Sequence, residues 1–268
     1  RGEMIGRGSL GRVFRALDQL TGQILAVKEV QINVQDESDR SFMDSLRNEV
    51  HIMEDLRHPH IVSYFGHDFS EGCLFMFLEH MPGGTLTQAL QQFGPFEESL
   101  LAAYSKQLLD GLEYMHTRSP PVVHRDIKGS NILIGADCRV KLADFGCSKR
   151  ALDTQSFSTI GSIPWMAPEV IQQTMGHGRK ADIWSLGCTL IEMASAEPPW
   201  GRDKFTNFMS ALRHIALSDA TPPVPDSLQG AGRELVDLCM QRSAEGRPQA
   251  ETLLRHAFVR DAAATHRG

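Results

Sequence analysis

Polar and apolar residues alternate through RVFRAL (12–17) and QILAVKEV (23–30), and DQLTG between them ends on Gly22, the permissive backbone of a turn. This pattern predicts a β-hairpin. The polar connector QINVQDESDR follows, and then the period changes. In SFMDSLRNEVHIMEDL, Leu46, Val50 and Met53 recur at i, i+4, i+7, one face of a helix that Pro59 brings to an end. Two more strand-like runs, IVSYFGHDF and CLFMFLEHM, complete a small β-rich unit before MPGG, with Pro82, Gly83 and Gly84, interrupts the pattern as a hinge. Beyond it, Leu101, Tyr104, Leu108, Leu112 and Met115 recur at steps of three and four, with Glu97 and Glu98 at the favourable end of the helix dipole. ADIWSLGCTLIEMA is apolar on nearly every side, as a helix in the middle of a lobe is. The expected fold is α+β and bilobal: a small N-terminal β lobe with one main helix, a hinge, and a larger α-helical C-terminal lobe across a cleft.

Size agrees with two lobes, since 268 residues slightly exceed the usual reach of a single core. A hydrophobic content of 41% and a charged content of 22% are ordinary for a soluble globular protein. No apolar run approaches the roughly 18 residues of a membrane helix, so membrane insertion is not expected. A net charge of −6 with no basic stripe argues against nucleic acid as a partner. The five cysteines are odd in number, widely spaced and free of C-x-x-C, which fits neither a disulfide framework nor a zinc site and points to a reducing, cytoplasmic location. The chain starts at Arg1 and ends in the polar tail RDAAATHRG; it is expected to be a domain of something longer, with regulatory regions outside it.

Three polar constellations carry candidate chemistry. The first, GRGSLGRV from Gly6 to Val13, matches G-x-G-x-x-G-x-V. On the glycines alone, a tight loop and a dinucleotide-binding fingerprint with Glu29 as its acidic residue are both open. The continuation argues against the fingerprint, because Gly11 leads into a strand pattern rather than a helix. Glycines between paired strands make a flap that approaches phosphates closely. In the second, the period-2 set Ile24, Ala26, Lys28, Val30 places a lysine among apolar neighbours, and Glu49 lies beside the helical stripe. Breaking a buried ion pair costs about 3–5 kcal/mol, so the two are expected to meet. A structural ion pair, a lysine whose stem reaches water, and a cleft lysine that binds phosphate under the orientation of Glu49 are the three readings. The third is HRDIKGSN, His124 to Asn131, a polar insertion between VV and ILI, together with LADFG. Asp126, Asn131 and Asp144 bring hard oxygen ligands that suit Mg²⁺ with water and phosphate, the alternative for each being a solvated loop or turn cap.

Taken in order, GRGSLGRV, AVK, Glu49, HRDIKGSN, DFG, APE at Ala167 to Glu169, DIWSLG at Asp182 to Gly187, and Arg247 resemble the eukaryotic protein-kinase signature set over nearly the whole chain. The resemblance implies a kinase domain over 1–260, divided into an N-lobe 1–78, a hinge 79–84 and a C-lobe 85–260, with 261–268 as a polar tail. It implies ATP and magnesium, with Gly6, Gly8 and Gly11 over the phosphates and Lys28 on the α/β-phosphates. Val13, Ala26 and Leu133 would surround the nucleotide, Leu78 would be the gatekeeper, and backbone groups of Glu79 and Met81 would meet adenine. Asn131 and Asp144 would hold the metal. Asp126 would accept the proton of the substrate hydroxyl, and Lys128, in the serine/threonine rather than the tyrosine pattern, would neutralise the transferring phosphate. Glu169 would pair with Arg247, and Asp182 would tie the catalytic loop to the buried helix.

More narrowly, VVHRDIKGSNIL, MPGGTL, WMAPEVI and KADIWSLGCTLIEMA are similar to MAP kinase kinase kinases of the MEK-kinase type, which implies a MAP kinase kinase as protein substrate. Other sterile-20-related kinases carry these motifs with small changes. A pseudokinase scaffold would need a broken position among Lys28, Asp126 and Asp144, and none is broken. A small-molecule kinase is the other rival, and the APE platform argues against it. GSIPW departs from the common G-T-P-Y-W: Ser162 keeps the hydroxyl and is expected to contact Asp126 and Lys128, while Ile163 and Pro164 are expected to reshape the wall beside the substrate residue. Ser158 and Thr159 are the expected regulatory phosphorylation sites, drawn to Arg125, read as a poorly compensated cation. Cys147 is read as an apolar filler, with a cleft-facing thiol as the alternative.

Overall fold

The computed structural model of the chain describes residues 1–7, 11–32, 46–47, 49–145, 149–150, 160–172, 178–260 and 262. Arg12–Leu17 (β2) and Ile24–Gln31 (β3) form the expected hairpin. Its turn is made by the Asp18 carboxylate, which accepts from the Leu20 N–H at 2.9 Å and the Thr21 hydroxyl at 2.7 Å. A strand that no alternation marked, Met4–Arg7 (β1), pairs with β2, and Tyr64–Ser70 (β4) and Cys73–Glu79 (β5) complete an antiparallel sheet of order β1-β2-β3-β5-β4.

The period-2 reading of β3 needs correction. Ala26 through Val30 are all buried, while Ile24, placed on the apolar face, is 50% exposed. Both faces of this central strand are covered. On one side, residues 46–47 and 49–55 are helical (α1) and bury Leu46, Ile52 and Met53, with Val50 half-buried at the edge. On the other, the Glu29 carboxylate is gripped by Arg1 and Arg12, and the Arg1 guanidinium lies 4.0 Å over the Phe14 ring. The expected start of α1, residues 41–45, falls outside the described residues.

After Glu79 the chain turns helical, through Leu86–Phe93 (α2), Glu98–His116 (α3), Pro168–Ile171 (α4), Arg179–Ser195 (α5), Phe208–Leu217 (α6), Gly230–Cys239 (α7), Ala250–Leu253 (α8) and Ala257–Arg260 (α9). Leu101, Tyr104, Leu108, Leu112 and Met115 are buried along α3, as their spacing predicts. Every residue from Ala181 to Ala194 of α5 is buried, packed against α3, α7 and the 3-10 segment Ile160–Trp165, which is why no polar face interrupts it. Two small ribbons sit among these helices: Val122–Val123 (β6) with Lys149–Arg150 (β9), and Ile132–Ile134 (β7) with Val140–Leu142 (β8). Leu142 of β8 donates to His60 O and accepts from Val62 N–H, both at 2.9 Å, binding this ribbon to the segment that follows α1.

Arg247, fully buried, spends all five N–H groups. It forms a fork on Glu169, with 2.7 Å to each carboxylate oxygen, and donates to Gln241 O, Lys180 O and Arg242 O. No helix among the described residues is long and apolar enough to cross a membrane, and Cys73, Cys138, Cys188 and Cys239 are free thiols.

Candidate active site

The polar insertion between VV and ILI is held from below. β6 and β7 are anchored by Val122, Val123 and Ile132, all buried, and the loop between them hangs on Asp182 at the start of α5. That carboxylate accepts from His124 N–H and Arg125 N–H at 2.9 Å each and meets His116 Nε2 at 2.8 Å. Arg125 therefore holds a left-handed backbone, φ 72°, a conformation that costs a non-glycine residue about 1–2 kcal/mol and persists where the surroundings over-determine it. Burial pushes the Asp182 carboxyl up, but these donors and His124 outweigh it and keep it below the usual aspartate range.

Asp126 is 7% exposed, and its Oδ2 accepts from Asn131 Nδ2 at 2.8 Å and Lys128 Nζ at 2.9 Å. Lys128 also donates to Ser162 Oγ at 2.5 Å, so the serine reaches the carboxylate through the lysine. His124 Nδ1 accepts from Asp126 N–H, which leaves the ring proton on Nε2 for Ala143 O at 3.1 Å. With the Ala143 N–H donated to Asn131 O and the Phe145 ring 5.0 Å from His124, the segment carrying Asp144 is pinned to the Asp126 loop.

Asp144 also has a positive φ, 60°, and its Oδ1 lies 3.0 Å from Lys28 Nζ, which donates at 2.7 Å to Glu49 Oε1 on α1. Lys28 and Glu49 thus meet, and Asp144 joins them. Burial disfavours the Lys28 charge, but the two carboxylates outweigh it and hold the ammonium well above its usual range. Burial likewise pushes Asp144 up, and Lys28 pulls it further down.

Strand register sets the neighbours of Lys28. Val13 pairs with Lys28, Lys28 with Met76, and Ala26 with Leu78. Leu78 and Leu133 pack against a small apolar cluster of Val62, Met81 and Ala143, next to Asp144. Gly6 pairs with Val13, and a Cβ on Gly11 would come within 2.1 Å of Glu29 O, so no side chain fits there. Gly8, Cys147, Ser158 and Thr159 lie outside the described residues.

Across its length, this arrangement matches the protein kinase domain at residues 1–259. The chain belongs to the protein kinase family. It is similar to mitogen-activated protein kinase kinase kinase A of Dictyostelium discoideum, 42% identical over 97% of this chain and 27% of that protein. Mitogen-activated protein kinase kinase kinase 3 of Arabidopsis thaliana is 38% identical over 97% of the chain and 42% of its own length. The human protein of that name is 39% identical, with 97% and 41% covered. The chain therefore spans less than half the length of these relatives.

Protein kinases use ATP with a divalent metal, and the donors of this kinase domain fit such an ion. Asn131 commits its NH₂ to Asp126, leaving the amide oxygen, and Asp144 adds a carboxylate; two hard oxygens suit a cation that keeps water and phosphate among its ligands.

Arg125 takes part in an interaction within the fold. One further expectation is corrected. Ile163, expected in the wall beside the substrate residue, is buried in the hydrophobic core, where the 3-10 turn of Ile160–Trp165 points it. Sequence reasoning also missed two networks. The Glu79 carboxylate accepts from Lys141 Nζ at 2.7 and 2.8 Å and from the Ser63 N–H and hydroxyl, while Glu79 N–H goes to Ser63 O. Glu192 joins Thr87, Gly129 and Trp165. Both link residues far apart in the chain, for which local periodicity carries no signal.

Proposed function

We propose that this domain is a serine/threonine kinase that transfers the γ-phosphate of ATP to a hydroxyl of a MAP kinase kinase, as a MAP kinase kinase kinase does. The observation that carries the reading is the pairing of two clusters: Asp126 with Lys128 and Asn131, and Lys28 with Glu49 and Asp144. In this reading residues 1–78 and 85–260 are the lobes, 79–84 the hinge, and adenine lies between Leu78, Ala26, Val13 and Leu133, meeting backbone groups of Glu79 and Met81.

Lys28, kept charged by its carboxylates, holds the α- and β-phosphates beneath the flap of Gly6, Gly8 and Gly11. Asp126 accepts the proton of the attacking serine or threonine hydroxyl at its carboxylate, and Lys128 beside it offsets charge on the transferring group. Asn131 and Asp144 hold magnesium, which supplies neutralisation of the phosphate charge. The names of the relatives support the MAP kinase kinase as substrate, and the free thiols support a cytoplasmic location. The test is incubation of the purified domain with ATP, magnesium and a MAP kinase kinase. Incorporation of phosphate on serine or threonine is expected; incorporation on neither would overturn the reading.

A further inference from the structure

Glu29 follows Lys28 in β3 and points to the other face of the sheet, away from Glu49 and Asp144. It is buried, and both of its carboxylate oxygens are engaged: Oε1 accepts from Arg12 Nη2 at 2.5 Å and Oε2 from Arg1 Nη1. In the β2/β3 ladder Arg12 faces Glu29 and Val13 faces Lys28. Arg12 is the first residue of β2, so on the side of the glycines the ladder ends at this pair. One residue further, Gly11 lies so near the Glu29 backbone that a Cβ would sit 2.1 Å from its carbonyl oxygen and 3.2 Å from Val30 Cγ2. β1, which enters the flap from the other side, is bound to β2 and not to β3.

From this geometry we infer that Glu29 is a positioning residue for ATP: through Arg12 it fixes Gly11 against β3 and so sets the glycine flap relative to Lys28. The inference deepens the kinase reading and rests on it. A ladder frays from its end, and this end carries the flap. With Arg12 released, Gly11 has no side chain of its own to hold it beside the Glu29 carbonyl. In that reading the flap and the Lys28 ammonium grip the phosphates from two sides, and the two sides meet at neighbouring residues of one strand. A misplacement of about 1 Å between such groups weakens their joint action by up to about 10²-fold. Charge alone would act otherwise. A carboxylate repels phosphate, so removing it would tighten nucleotide binding, whereas removing the Arg12 cation would weaken it. Arg12 is half-exposed, and an ion pair open to water adds little to overall stability, so what this contact contributes is placement.

The test is the equilibrium affinity of the kinase for adenosine and for ADP with magnesium, with KM for ATP beside it, in wild type, Arg12→Ala, Glu29→Gln and the double variant. In both single variants ADP affinity is expected to fall by about five- to tenfold and KM for ATP to rise alike, while adenosine, which brings no phosphate to the flap, changes by less than about twofold. The double variant is expected to match Glu29→Gln, since both substitutions release the same contact. If Glu29→Gln does not fold, Arg12→Ala carries the test, with Arg12→Lys expected to restore part of the loss. ADP affinity unchanged in Arg12→Ala, shifts of opposite sign in the two single variants, or equal losses for adenosine and ADP overturn the assignment while leaving the kinase reading intact. Wild-type protein that binds neither adenosine nor ADP overturns both.

Discussion

Glu169→Ala leaves the guanidinium of Arg247 at 0% exposure without the carboxylate that faces it. Two hydrogen bonds of 2.7 Å are lost together, and the carbonyls of Gln241, Lys180 and Arg242 hold the arginine in place, so it has no easy route to water. Removing one partner of such a buried pair costs about 3–5 kcal/mol, because the remaining charge stays desolvated. For 268 residues, an unfolding entropy of about 2.1 cal/mol/K per residue converts this loss to a fall in Tm of roughly 5–9 °C. Thermal unfolding followed by circular dichroism, with urea midpoints as a second measure, reads it directly. In a cycle with Arg247→Ala, the double variant should be less destabilised than the sum of the single ones by more than about 1 kcal/mol. A Tm drop below about 2 °C for Glu169→Ala, or strict additivity, would refute the reasoning.

Asp182 links stability to pH. Its carboxyl is held below the ordinary aspartate value of about 3.9, so its contribution is complete above that value and is lost as pH falls through it towards the lower folded value. The gap in urea midpoint between wild type and Asp182→Asn is therefore expected to be widest near neutrality and to narrow below about pH 4; a constant gap would contradict the linkage. Lys28→Met removes the cation between Glu49 and Asp144, and kcat/KM for ATP is expected to fall by about 10²–10³-fold. Unchanged nucleotide kinetics would show that the lysine serves the fold alone.

Much of this site was legible because burial and charge conflict there. A lysine in β3 and a glutamate on α1 demand each other whatever the fold, and a polar run between VV and ILI demands an anchor. The anchor, Asp182, was named through its resemblance rather than its pattern. Other parts were beyond local reading. Thr87 and Glu192 are 105 residues apart and look like ordinary helix polar positions until packing joins them. β3 lost its alternation because arginine side chains from Arg1 and Arg12 close the outer face of the sheet, a tertiary contact with no local pattern. Ile163 is placed in the substrate wall only by comparing GSIPW with G-T-P-Y-W, a motif that says nothing of which way the side chain turns, and its side chain lies in the core.

The central claim is that Asp126 receives the hydroxyl proton while a separate cluster around Lys28 holds the nucleotide. Asp126→Asn separates the two, because it keeps the side-chain shape at the bond to Asn131 and leaves Lys28, Glu49 and Asp144 untouched. The decisive measurement is the single-turnover rate of phosphate transfer beside the equilibrium affinity for ATP, in wild type and Asp126→Asn. The account predicts a rate lower by about 10²–10⁴-fold with unchanged ATP affinity. A variant that transfers phosphate at close to the wild-type rate would contradict it.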